Sequence, residues 1–309
     1  MSFGDIKGHD RVISFLKSAI ENNRVAHAYL FLGPQGIGKR LTAFGFAEAL
    51  NGVKDAASHP DVFLVKPEKG KTEIGIDAVR EVIRRSSLKP YEAKFKVFII
   101  DGADSMTAEA ANAFLKTLEE PPQDTVLVLI AQNANAILPT ILSRLQVIRF
   151  FPIGTIEVKD ILMKDYGMEA AEAEVLSRIS SGRLGNALKL RDEDFFAKRA
   201  RTIKDLVAGT FFDSDFEDFS GEEIKVFLDI ALAWYRDILV AKTNGGEPQT
   251  LVNVDKKDSV LKEARRLGFD YLDRIIKGIL LTNSYLENNA NPKLAMSVLG
   301  LAMIENSEV

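Results

Sequence analysis

At 309 residues the chain is too long for one small core and implies about two or three domains, with the hydrophobic (46%) and charged (27%) shares of an ordinary globular protein. It has no cysteine, which removes disulfides, thiolate zinc sites and cysteine nucleophiles, and its 3 histidines, His9, His27 and His59, are too scattered for a histidine-rich metal centre. A net charge of −4 argues against a large basic face gripping nucleic acid alone, and with no apolar run of about 18 residues and no basic-then-apolar leader the expectation is a cytoplasmic protein without a membrane span.

Residues 1–28 read as a loop and an amphipathic helix with Val12, Ile13, Phe15, Leu16 and Ile20 on one side. Residues 26–32 are an apolar strand that runs into Gly33-Pro34-Gln35-Gly36-Ile37-Gly38-Lys39-Arg40, followed by a helical stretch over 41–50. This is the spelling of a phosphate-binding loop with one letter changed. Gly33, Gly36 and Gly38 let the backbone curl its N–H groups toward phosphate, the helix adds its positive end, and Lys39 brings a charge for the outer phosphates. The next residue should carry the hydroxyl that ligates magnesium, and it is Arg40. A nucleotide pocket is expected here, and an efficient hydrolase is not.

Residues 51–60 are a small, polar connection, 61–65 a short strand, and 76–86 a helix with Ile76, Val79, Val82 and Ile83 in phase. Residues 96–101 form an uninterrupted apolar strand ending in Asp101, the pattern of a strand buried on both faces of a parallel sheet, whose carboxyl end is where ligands sit. A helix over 107–120 turns Ala110, Ala113, Phe114 and Leu118 inward and stops at Pro121-Pro122. Then come a buried strand (125–131), a short helix (138–143) and a further strand (145–150), and such alternation predicts a doubly wound parallel sheet. From residue 155 on the patterns are helical, over 156–166, 170–180, 187–191, 197–206, 222–242, 260–267, 271–288 and 293–304, with 243–254 the most loop-like stretch. Trp234 shares a helical stripe with Phe227, Ile230, Ala231 and Ile238 and reads as core. The class is therefore α/β followed by all-α, with breaks that divide the chain into 1–153, 154–194 and 195–309.

Asp101 fits the outer-shell partner of magnesium, but Gly102 follows it where an acidic residue would activate water. Asp104 lies in the turn toward the next helix and reads as its cap. Asn133, just past the 125–131 strand, either orients a phosphate or a water beside the loop or is a turn residue. On spacing alone Arg144, between a short helix and a strand, reads as a solvated charge. The densest basic region of the first domain, Arg84, Arg85, Lys89, Lys94 and Lys96, reads as a solvated face rather than a nucleic-acid patch.

These segments together resemble the clamp-loader branch of the AAA+ ATPases, within it the delta-prime subunits of bacterial DNA polymerase III, with gamma/tau subunits as near relatives. The resemblance covers nearly the whole chain. It rests on Arg24-Val25-Ala26-His27-Ala28-Tyr29-Leu30-Phe31, on residues 97–107 around Asp101-Gly102-Ala103-Asp104, and on the very specific Leu115-Lys116-Thr117-Leu118-Glu119-Glu120-Pro121-Pro122. Leu138-Pro139-Thr140-Ile141-Leu142-Ser143-Arg144 and Asn291-Pro292-Lys293-Leu294-Ala295 complete it.

The resemblance implies a RecA-like domain (1–153), a small helical lid (154–194) and a helical collar domain (195–309) that joins a hetero-pentamer. It implies that Ser143-Arg144 is the start of a Ser-Arg-Cys motif whose arginine reaches the ATP of a neighbouring subunit, with Leu145 in place of the cysteine. Asn133 falls at the sensor 1 position, and Gly185 stands where a motor carries its sensor 2 arginine. The family's four-cysteine zinc module is missing from the short 51–60 stretch, so no zinc is expected. The departures at 40, 102 and 185 all fall on the chain's own nucleotide site, while Arg144, which serves a neighbour, is kept. The expectation is a non-motor subunit with at most a weak ATP or ADP site (Gly33, Gly36, Gly38, Lys39, Arg40, Asp101, Asn133), magnesium unassigned, and little ATPase activity of its own. Its partners would be gamma/tau and delta subunits, the sliding clamp and, through the complex, primed DNA. The alternatives are a gamma-type ATPase motor that tolerates Arg40 and Gly102, and a free-standing AAA+ repair or recombination factor.

Overall fold

The computed structural model describes residues 3–68, 70–191, 194–209, 220–245, 247, 250–287 and 290–304. They fall into two compact units, one within the bounds 1–157 and 182–186, the other within 158–181 and 187–309.

The first unit is built on five parallel strands, β1 (Ala28–Leu32), β2 (Val62–Val65), β3 (Lys96–Asp101), β4 (Thr125–Ala131) and β5 (Gln146–Arg149), in the order β2-β3-β4-β1-β5. Every residue of β1 and β4 is buried, which explains their unbroken apolar spelling: both faces of the sheet are covered. Alternation along each strand divides the core in two. Tyr29, Phe31, Val97, Ile99, Val126 and Val128 belong to the cluster built with α1 (Asp10–Glu21) and α2 (Lys39–Asn51). Leu30, Leu32, Phe98, Ile100, Leu127 and Leu129 belong to the one built with α3 (Ile76–Ser86), α4 (Ala108–Glu119) and α5 (Pro139–Leu142). Phe46 on α2 meets Tyr29 edge-on with centroids 5.3 Å apart, and deleting a buried ring of this kind costs about 3–5 kcal/mol.

Register positions the site. Leu32 stands opposite Ala131, and Asp101 opposite Ile130, so the segments leaving β1, β3 and β4 emerge together at the carboxyl edge of the sheet. Thr107 begins α4 by accepting the Ala110 N–H at 3.2 Å. Asp104, expected to be that cap, is not. Its carboxylate accepts the backbone N–H groups of Gln132 (2.7 Å) and Asn133 (3.1 Å) instead, because the β3 and β4 exits are neighbours and two donors of a tight turn lie within reach.

Beyond β5 the described residues hold helices and short turns: α6 (Thr155–Tyr166), α7 (Ala170–Ile179), α8 (Leu184–Arg191), α9 (Phe195–Ala208), α10 (Gly221–Asn244), α11 (Lys257–Arg266), α12 (Phe269–Glu287) and α13 (Pro292–Ile304). α8 starts ahead of its apolar periodicity, since Gly185 and Asn186, poor helix formers, open it. In the second unit α10 is the centre, started by a Ser220–Glu223 capping box and packed on α9, α11 and α12. Trp234 is buried on it as core, as its stripe predicts. A buried network ties this unit's turn over 250–255 to α9 and α10: Arg199 makes paired bonds to Asp255 (2.7 and 2.9 Å) and holds Asn253, which in turn donates to Asp237 at 2.8 Å.

Candidate functional site

The loop from Gly33 to Lys39 has its carbonyls held by donors of the chain itself. Lys39 Nζ donates to the Gly33 and, at 2.7 Å, the Pro34 carbonyl. The Gly185 N–H donates to Gly36 O at 2.8 Å, His9 Nε2 to Ile37 O at 2.5 Å, and Thr42 Oγ1 to Gly38 O at 3.0 Å. Among the described residues no backbone hydrogen bond uses the N–H of Gly36, Ile37 or Gly38. A loop with its carbonyls tied back and its amides uncommitted has the form of a nest that can accept an anion, continued by the N-terminus of α2. Burial pulls the Lys39 ammonium down to about 8, against the opposing charges of Asp101 and Asp104.

Two of these donors are invisible in the sequence pattern. His9 precedes α1 without capping it and sets its ring edge-on to Phe150 at 5.0 Å. A histidine next to a helix start carries no signal for a loop 28 residues away. Gly185 matters through its missing side chain: a Cβ there would lie 2.8 Å from the Gly36 carbonyl oxygen, so only glycine allows this backbone to close on the loop.

The acidic side of the site is Asp101, at the end of β3. Arg40 Nη1 lies 3.3 Å from its Oδ2, so the residue in place of the metal-binding hydroxyl is paired with the carboxylate that would serve the metal. The donor set therefore does not fit the magnesium of a phosphate-loop enzyme: one ligand is replaced by a cation and the other is engaged by it. Gly102 has φ +98°, and a Cβ on it would sit 3.1 Å from Ser105 Oγ. An acidic residue for activating water would be strained there. Asn133 is exposed and its side chain accepts the Asn135 N–H at 2.9 Å, while its own amide is held by Asp104. The structure thus brings Gly33, Gly36, Gly38, Lys39, Arg40 and Asp101 together, with Asn133 on the neighbouring turn.

Arg144 lies elsewhere. It precedes β5, whose first residue Gln146 stands opposite Tyr29 near the start of β1, so Arg144 is at the amino edge of the sheet and the loop at the carboxyl edge. Its Nη2 pairs with Glu119 Oε1 at 2.6 Å, and its Nη1 donates to Thr140 O at 2.6 Å.

The basic region does not form a continuous face. Arg84 and Arg85 share Glu81 at 2.7 and 2.5 Å, and Lys94 sits over the Phe95 ring. Lys96 is buried and donates to Arg85 O at 3.0 Å, because the strand it begins is covered on both sides.

The family model for DNA polymerase III, delta subunit, matches residues 8–154. The delta' subunit of DNA polymerase III from Bacillus subtilis (strain 168) is 30% identical over 324 aligned residues, covering 96% of each chain. Among solved structures, a DNA polymerase III gamma subunit-related protein from Thermotoga maritima superposes with a TM-score of 0.52 at 23% identity, covering 94% of this chain and 98% of that one. The RuvB Holliday junction branch migration motor of Thermotoga maritima gives 0.51 at 14% identity, covering 98% and 89%. At such identities the two structures speak for the fold, which is the RecA-like AAA+ fold with its parallel sheet. The match along nearly the full length of a delta' subunit settles the family: the chain belongs to the delta-prime family of DNA polymerase III clamp-loader subunits.

Proposed function

We propose that this chain is a non-motor subunit of the replicative clamp loader, helping to place the sliding clamp on primed DNA, and that Arg144 assists hydrolysis of ATP held by an adjacent gamma/tau subunit. The observation that carries this reading is the position of Arg144. At the amino edge of the sheet it is on the opposite side from the chain's own phosphate loop, so a phosphate it stabilises belongs to another subunit. The state of the chain's own site supports the same division of labour: Arg40 is paired with Asp101, and Gly102 has a backbone that disfavours an acidic side chain. A gamma-type motor would need both positions for its own turnover. Residues 33–40 then serve as scaffold with weak affinity for a nucleotide. The helical part of the chain, divided as 154–194 and 195–309, supplies the lid and the collar through which the chain joins gamma/tau and delta in a hetero-pentamer in the cytoplasm.

The test is a loader reconstituted from this chain with its gamma/tau and delta partners, assayed for clamp-stimulated ATP hydrolysis. Removing an arginine that acts in trans lowers turnover by ~10³ or more, so Arg144→Ala should nearly silence the adjacent site while leaving the complex assembled. Unchanged turnover in an assembled complex would remove the role of Arg144. Hydrolysis by the isolated chain, abolished by Lys39→Ala, would favour a motor instead.

A further inference from the structure

The mismatch with magnesium points to a different way of handling phosphate. In a phosphate-loop enzyme a hydroxyl after the lysine and an aspartate at the end of a neighbouring strand hold the metal that neutralises the outer phosphates. Here the same two positions hold Arg40 and Asp101, 3.3 Å apart, one a fixed cation and the other its counter-ion. Arginine stays charged at any pH a protein meets, and its planar guanidinium has donors enough to keep one bond to Asp101 and offer others to a phosphate oxygen. For a metal to reach Asp101, the guanidinium would have to leave it.

We propose that the Gly33–Arg40 loop binds the polyphosphate of a nucleotide without a metal ion, with Arg40 in the metal's place. This inference rests on the reading of the loop as a phosphate site, and not on the role of Arg144. Three observations support it together. The amides of Gly36, Ile37 and Gly38 are uncommitted while the loop carbonyls are tied to Lys39, Gly185, His9 and Thr42, so donors and not acceptors are offered to an anion. Arg40 is over half exposed, so a ligand can approach it without unfolding anything. Asp101, which would repel phosphate, is neutralised by Arg40 before the ligand arrives. A phosphate must draw Lys39 away from the Gly33 and Pro34 carbonyls, which makes the affinity modest. Magnesium, by masking the phosphate charge that Arg40 and Lys39 recognise, competes with the protein instead of assisting it.

The experiment is titration calorimetry of the full chain with ADP, with ATP and with tripolyphosphate, each in excess magnesium and in excess EDTA. The expected result is binding in EDTA that is equal to or tighter than binding in magnesium for all three ligands, with tripolyphosphate displacing ADP. Arg40→Thr restores the hydroxyl and frees Asp101, and should reverse the preference to about tenfold or more in favour of magnesium. Arg40→Lys keeps a charge without a hydroxyl and should still show no preference for magnesium, with weaker binding than the parent because a point charge cannot hold Asp101 and phosphate at once. Melting curves of both variants confirm that they are folded, which the exposure of Arg40 leads one to expect. Three results would overturn the proposal: tenfold tighter binding of the parent chain in magnesium, an Arg40→Thr variant with no magnesium preference, or no binding of any of the three at millimolar concentration. The last would leave the Arg144 experiment untouched, and an unaffected Arg144→Ala loader would leave this one untouched.

Discussion

Arg144 and Glu119 are joined by an ion pair of 2.6 Å, and this pair sets the resting direction of the guanidinium. Glu119 lies at the end of α4, in the Leu-Glu-Glu-Pro-Pro string that ends that helix, and the Thr140 carbonyl holds the other amino group. In the proposed role of Arg144, a neighbour's phosphate would have to compete with a carboxylate already in place.

The competition is mild because both partners are partly exposed, and such pairs contribute about 0.2–1 kcal/mol. Glu119→Gln should therefore raise clamp-stimulated hydrolysis in the reconstituted loader by about two- to threefold. The double variant with Arg144→Ala should be as inactive as Arg144→Ala alone. Partial rescue in the double variant would show that Glu119 acts on something other than Arg144.

Gly185→Ala tests the closure of residues 182–186 on the loop. The new Cβ would meet the Gly36 carbonyl oxygen at 2.8 Å, a backbone contact that no side-chain rotation relieves. Overpacking of this kind costs about 1–3 kcal/mol, so the denaturation midpoint should fall by a corresponding amount. Gly154→Ala, at a glycine where an added Cβ would have nothing within 4 Å, is the matching control and should change little.

Lys39 carries a pH signature. Its ammonium is held at about 8 by burial, below the ~10.4 of an unfolded lysine. Between those values the unfolded chain binds more protons than the folded one, so folding stability attributable to Lys39 rises with pH across this window. The difference between those two values, at 1.36 kcal/mol per pH unit, bounds the gain at about 3.3 kcal/mol, and water reaching the ammonium lowers it further. Below pH 8 the group is charged in both states and the full burial penalty applies. Denaturant midpoints measured from pH 7.5 to 10 should rise for the parent relative to Lys39→Met. Parallel curves would mean that the ammonium is not in the buried position it takes between Gly33 and Pro34.

Strands β1, β3 and β4 are legible as buried because an element covered on both faces has no polar positions to confuse the pattern. The helix over 76–86 is legible for the opposite reason, since its single apolar face recurs at helical spacing. The phosphate loop and Lys39 can be read from spelling, because local glycine content and the strand-to-helix transition define that motif. Asp104 is where such reading fails. Sequence proximity favours a cap on the next helix, whereas register brings the amides of Gln132 and Asn133 within reach.

By itself the sequence determined the kinds of chemistry available: a lysine loop, an arginine where a hydroxyl belongs, a glycine after Asp101, and no cysteine for disulfides or thiolate zinc. These are covalent facts that folding does not alter. What only the tertiary structure decided is which of these groups meet. That Arg40 lies on Asp101, that His9 and Gly185 hold the loop carbonyls, and that Arg144 stands at the edge of the sheet away from its own loop all follow from strand order and parallel register. Those are long-range contacts, set by how two buried faces of one sheet are covered, and local spacing along the chain does not encode them.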